Sequence, residues 1–132
     1  MFNEKEKLKI LADAIKIRTE NDNEAKLAKY FQELLKKYGI ESKLVHYNPQ
    51  RASLVCDLDG SKGSGKMLVV SGHLDVVTAG DENEWTYPPF GGEIHDGKMY
   101  GRGTTDMKAG LCALIIAMIE LKEEGANFKG KI

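Results

Sequence analysis

The chain has 132 residues, 42% of them hydrophobic and 30% charged, with 19 basic side chains against 20 acidic ones and a formal net charge of -1. This suits one globular domain, and it lacks the clustered Lys and Arg that phosphate backbones or anionic lipids attract, so neither nucleic-acid nor membrane-surface binding is expected. No run approaches the ~20 apolar residues of a membrane-spanning helix, and Met1-Phe2-Asn3-Glu4-Lys5-Glu6-Lys7 lacks the apolar centre of a secretory signal, so a cytoplasmic location is expected.

Leu8, Leu11, Ala12 and Ile15 recur at helical spacing and predict a first helix over residues 4–18. Asn21 is the expected cap of a second helix, with Glu24 reaching back in a capping box. Leu27, Ala28, Phe31, Leu34, Leu35 and Tyr38 form its apolar face, and Gly39 ends it. The period then shortens to two. Leu44, Val45 and Tyr47, then Leu54, Cys56 and Leu58, read as neighbouring strands around the turn at Asn48-Pro49. After a Gly- and Ser-rich loop, Met67-Leu68-Val69-Val70 reads as a central strand covered on both faces.

Residues 78–92 form a surface loop anchored by Trp85, Tyr87 and Phe90, and Asp96-Gly97 is the expected turn of a short hairpin. A third helix is predicted over residues 106–124, apolar around more than half its circumference and so covered by a sheet and another layer. Cys56 and Cys112 lie in apolar segments without disulfide or CxxC spacing and are expected to be buried thiols. Phe128 to Ile132 reads as the beginning of another strand, and the chain is expected to be part of a longer domain. The fold class is α/β, a mixed β-sheet flanked by helices.

Two constellations carry chemistry. In Val69-Val70-Ser71-Gly72-His73-Leu74-Asp75, an extended backbone points His73 and Asp75 the same way at the end of the predicted strand, where α/β sheets place their ligands. An imidazole that donates one N–H to a carboxylate offers its other nitrogen to a metal, but the same pair also serves as a structural hydrogen bond. In Gly101-Arg102-Gly103-Thr104-Thr105-Asp106, small residues permit an unusual path into the third helix. Asp106 is there either an ordinary helix cap or, held as an anion at the positive helix end, a metal ligand.

Three segments carry a family resemblance. They are Ser71-Gly72-His73-Leu74-Asp75-Val76-Val77, Trp85-Thr86-Tyr87-Pro88-Pro89-Phe90, and the run from Asp96-Gly97-Lys98 through Tyr100-Gly101-Arg102-Gly103-Thr104-Thr105-Asp106-Met107-Lys108. In order and spacing they resemble the M20 family of zinc hydrolases, which includes acetylornithine deacetylases, succinyl-diaminopimelate desuccinylases, aminoacylases and related di- and carboxypeptidases. The resemblance implies the catalytic domain of a zinc-dependent aminopeptidase-like enzyme, of which residues 1–132 are an incomplete, N-terminal portion without the lid domain. It implies His73 as a zinc ligand, Asp106 as a carboxylate bridging two zincs with cobalt as a possible substitute, and Asp75 as the catalytic-site carboxylate that holds the His73 ring. A cis peptide after Asp106 is also implied.

The activity so implied is hydrolysis of an N-acyl amino acid amide by metal-activated water, resembling a desuccinylase or acetylornithine deacetylase. Dipeptidase or carboxypeptidase action, or a truncated non-catalytic fragment, are the alternatives. The partner is a small N-acyl amino acid or peptide, and the parent a homodimer. The resemblance places a Glu-Glu pair and further ligands later in the chain. Glu123-Glu124 does not supply them, because at 1.5 Å per residue it lies roughly 25 Å from Asp106 along the helix. His46 and His95 are expected to be structural, and neither Arg102 nor Lys108 is assigned a catalytic role.

Overall fold

The computed structural model describes all 132 residues. Helix α1 spans Glu4–Lys16 and opens on a capping box in which the Asn3 side chain accepts from Glu6 N and the Glu6 carboxylate accepts from Asn3 N. Helix α2 spans Glu24–Lys37. Its predicted apolar face is correct: Leu27, Ala28, Phe31 and Leu35 are buried, and Gly39 takes the left-handed φ of 69° that ends the helix.

The cap differs from expectation. Asn23, with φ 69°, precedes the helix without a side-chain hydrogen bond, and no capping box forms at Asn21. Two competing partners explain this. The Asn21 N–H donates to Val76 O, and the Glu24 carboxylate is held by Arg51 at 3.0 Å.

Strands β1 (Ser42–His46) and β2 (Ala52–Cys56) form the expected antiparallel hairpin, with Leu44 opposite Leu54. The chain beyond β2 continues the layer. Leu58 exchanges both backbone hydrogen bonds with Ile132, and Lys131 pairs antiparallel with Asp59 and parallel with Met67. Parallel and antiparallel pairing thus coexist beside the helices, as a mixed α/β layer requires.

The segment 67–70 departs from its prediction. It makes one parallel bridge, at Met67, and its side chains are exposed, Val69 to 77%. A strand buried on both faces needs neighbours on both edges. Only residues 130–132 lie against this one, through the bond from Leu68 N to Lys131 O.

Strands β3 (Glu93–His95) and β4 (Lys98–Tyr100) form the second hairpin, with Asp96 and Gly97 both at positive φ as a two-residue turn demands. Helix α3 spans Ala109–Glu123 and starts later than predicted, because a wide turn, Thr104–Lys108, precedes it. Within that turn Asp106 has φ -128° and ψ 96°, so it is extended and does not cap the helix.

Helix α3 lies between two apolar clusters. Leu111, Cys112 and Ile116 join Ile10, Ala14, Leu27 and Phe31, while Met118 and Ile119 join Leu35, Ile40, Leu58 and Ala126. This double contact explains why the helix is apolar around most of its surface.

Candidate metal centre

His73 and Asp75 sit on an extended segment tied to the chain just beyond α1. Leu74 O accepts from Thr19 Oγ1 at 2.7 Å, and Val76 N donates to Thr19 O at 3.0 Å. Gly72 lets this segment lie on the start of α3. A Cβ there would come within 2.7 Å of the Met107 and Leu111 side chains. The His73 N–H donates to Met107 Sδ at 3.4 Å.

The structure brings the three predicted site residues together. His73 Nε2 lies 2.8 Å from Asp106 Oδ1, while His73 Nδ1 lies 3.0 Å from Asp75 O and 3.3 Å from Asp75 Oδ1. Both ring nitrogens therefore face acceptors. The hydrogen bond to Asp106, and after it that to the Asp75 carbonyl, hold the imidazolium above the ordinary histidine range. The Asp106–Met107 peptide is cis.

As donors, an imidazole nitrogen and a carboxylate oxygen are of the class that binds zinc, and the Asp75 contact at Nδ1 is the outer partner such a histidine usually has. Their number is short. Structural and catalytic zinc sites use three or four protein ligands, and no group of three or more His, Cys, Asp or Glu side chains is arranged to hold one ion.

The other histidines lie elsewhere. His46 Nδ1 is 3.3 Å from Asn48 O, and His95 pairs with Glu93 at 2.8 Å while stacking on Tyr87 at 3.7 Å. Glu123 and Glu124 are exposed at the far end of α3. The aromatic loop packs as expected. Pro89 is buried, Trp85 Nε1 donates to Ala79 O, and the Arg102 guanidinium lies over the Trp85 ring. A concavity of about 450 Å³ lined by Ala79, Asp81, Glu84, Trp85, Tyr87 and Tyr100 lies on this loop, and His73, Asp75 and Asp106 do not contribute to it.

Sequence reasoning missed Thr19 and left Lys108 as a support for the loop; both are fully buried. Lys108 Nζ donates to Ala14 O at 3.0 Å and to Ile17 O at 2.7 Å, and burial lowers its pKa to about 8. Nothing in the local pattern singles out Thr19, since a Thr after a helix is an ordinary surface choice, and nothing in it gives the partners of Lys108.

Residues 69–132 match the family model described as peptidase family M20/M25/M40. The chain is also 50% identical, over its whole length, to a probable succinyl-diaminopimelate desuccinylase of Staphylococcus epidermidis. Over these residues the chain is similar to the M20 family.

A similarly named Staphylococcus aureus protein is 49% identical over 99% of the chain. The M20 fold is recognisable in solved structures too. An M20 family metallo-carboxypeptidase from Sulfolobus solfataricus superposes with a TM-score of 0.81 over 94% of the chain at 23% identity. Human carnosine dipeptidase 1 does so with a TM-score of 0.74 over 97% at 20% identity. The chain spans 32% of the S. epidermidis relative, 31% of the S. aureus one, and 28% and 30% of the two solved chains.

Proposed function

We propose that residues 1–132 form the N-terminal portion of a metal-dependent amide hydrolase that removes an acyl group from an N-acyl amino acid, with N-succinyl-diaminopimelate as the preferred substrate. The observation that carries this reading is the 2.8 Å approach of His73 Nε2 to Asp106 Oδ1, with Asp75 against the other ring nitrogen. About 50% identity to probable desuccinylases favours succinyl substrates. The dipeptidase and carboxypeptidase alternatives find support only in neighbours at 20–23% identity, which speak to fold.

His73 and Asp106 are the residues that would hold zinc. Bound zinc supplies a Lewis acid for the scissile carbonyl and lowers the pKa of an attacking water. The chain's own residues prepare that site. A proton kept on His73 Nδ1, donated to Asp75, leaves Nε2 as the atom offered to a cation. Asp106, on an extended backbone ahead of α3, presents a side chain that is 84% exposed and would offer its carboxylate to a cation. Met107 and Gly72 close the gap beneath the two ligands.

With two donors of the required three or four, these residues are inactive by themselves, and the remaining ligands and a general base come from the rest of a protein of the relatives' length. We read that parent as a cytoplasmic homodimer; no helix here is long and apolar enough to cross a membrane.

The test is turnover of N-succinyl-diaminopimelate, N-acetylornithine and a dipeptide panel by a protein of the relatives' full length that contains this chain, with zinc or cobalt added. Metal-dependent hydrolysis of the succinyl substrate, lost in His73→Ala and Asp106→Ala, is the expected result. Preference for dipeptides would overturn the substrate assignment, and full activity in both variants would overturn the site.

A further inference from the structure

The candidate ligands reach one another from segments far apart in sequence, 69–76 and 101–108. Besides their direct contacts, both segments are held by a third one, residues 14–21, where α1 ends and the chain leaves it.

Each segment is fastened there by a fully buried polar side chain. Thr19 takes the strand side. Its Oγ1 donates to Leu74 O, the carbonyl between His73 and Asp75, while its own carbonyl accepts from Val76 N. The Asn21 N–H donates to Val76 O at 3.4 Å, so Asp75 is bracketed by bonds to one short stretch of backbone.

Lys108 takes the turn side. Its Nζ binds the carbonyls of Ala14 and Ile17, at the C-terminal end of α1, where the helix dipole favours a cation. Its backbone N–H donates to Gly103 O at 2.8 Å and closes the turn that carries Asp106. Gly103 in turn rests against the Val76 side chain, so the two fastened segments touch.

A buried ammonium costs free energy that an apolar side chain of equal length does not, even when it is hydrogen-bonded. What Lys108 adds over such a residue is two directed bonds that set the distance from the turn to the helix end.

We propose that Thr19 and Lys108 are positioning residues, which hold His73 and Asp106 in register from the end of α1. Their meaning for catalysis rests on the metal-centre reading above, but the alignment they produce exists without metal and is measurable without it.

The test uses the metal-free 132-residue chain with 13C-methyl-labelled methionine and compares wild type with Thr19→Val, Thr19→Ser and Lys108→Met. The readouts are the nuclear Overhauser contact between the His73 amide proton and the Met107 methyl group, and the dissociation constant for Co2+. Thr19→Val and Lys108→Met should keep the core contact of Met118 with Cys56, whose sulfurs lie 3.6 Å apart, lose the His73–Met107 contact, and bind Co2+ at least tenfold more weakly. Thr19→Ser, which retains the hydroxyl, should restore both. Lys108→Gln, neutral but still a donor, replaces Lys108→Met if the latter does not fold, and should weaken the contact.

Variants that fold and keep both the His73–Met107 contact and wild-type Co2+ affinity would overturn the proposal. Loss of the contact in a chain whose wild type does not bind Co2+ would support the positioning role and count against the metal reading instead.

Discussion

His73 Nε2 and Asp106 Oδ1 lie 2.8 Å apart, although 33 residues separate them in the chain. At that distance the imidazole proton satisfies the carboxylate, and a cation with the same two donors would take the proton's place. Asp75 lies behind the ring, against Nδ1. The Asp75 carbonyl, at 3.0 Å from Nδ1, is closer than its carboxylate at 3.3 Å.

Removing the Asp75 carboxylate therefore leaves an acceptor for the Nδ1 proton. Loss of such an outer partner costs about 10- to 100-fold in metal affinity. Asp75→Ala is expected near the lower bound, about tenfold, whereas His73→Ala and Asp106→Ala should abolish uptake. Titration calorimetry with Zn2+ on a protein of the relatives' full length that contains this chain checks the order; an Asp75 variant as damaged as His73→Ala would show that the carboxylate is itself a ligand.

Gly103 and Gly39 separate two glycine requirements. Gly39 has φ 69° with open space around its Cα, so Gly39→Ala should cost about 1 kcal/mol from the left-handed backbone alone. Gly103 has φ 84° and would also drive a Cβ into the Val76 side chain. Adding an overpacking cost of 1–3 kcal/mol gives about 2–4 kcal/mol for Gly103→Ala. Urea unfolding of the two variants should show that difference; equal losses would contradict the close approach.

The thiol of Cys112 is buried and pushed up to about 12 by that burial, with Lys108 opposing the shift. It should resist DTNB at pH 8 until the chain is unfolded, while the half-buried Cys56 reacts slowly. The sign of the linkage follows from the raised value. From about pH 9 to about pH 12 the unfolded chain gives up its thiol proton and the folded chain keeps it, so stability falls as pH rises through that window. Cys112→Ala should lose stability less steeply there than wild type in parallel denaturation series, and identical slopes would be incompatible with a buried thiol.

Asn3 and Asn23 each precede a helix and are each followed by a Glu, but only Asn3 caps. Asn3→Ala should lower stability by about 1 kcal/mol, because the Glu6 N–H loses its partner. Asn23 makes no side-chain bond and has positive φ, so Asn23→Gly should be neutral or slightly stabilising in thermal melts. A loss comparable to that of Asn3→Ala would reveal a cap at the start of α2.

What was legible from residue order alone was whatever is decided within a few residues. The stripe of Leu27, Ala28, Phe31 and Leu35 declares α2, and the Asp96-Gly97 pair declares the second hairpin, because helix and turn geometry act over one or two turns of chain. The motif around His73 and Asp106 was recognised through the family resemblance, which also implied the cis peptide found after Asp106.

Contacts between distant segments were decided only by the tertiary structure. The capping box expected at Asn21 yielded to Arg51 and Val76, which lie remote in sequence. Residues 67–70 look like a buried strand, yet burial depends on neighbours that composition cannot supply, and here only residues 130–132 stand beside them. Lys108 supports the loop, but its partners are the Ala14 and Ile17 carbonyls at the end of α1, where it is enclosed. A side chain's identity states what it can bond to, and only the fold determines which partners come within reach.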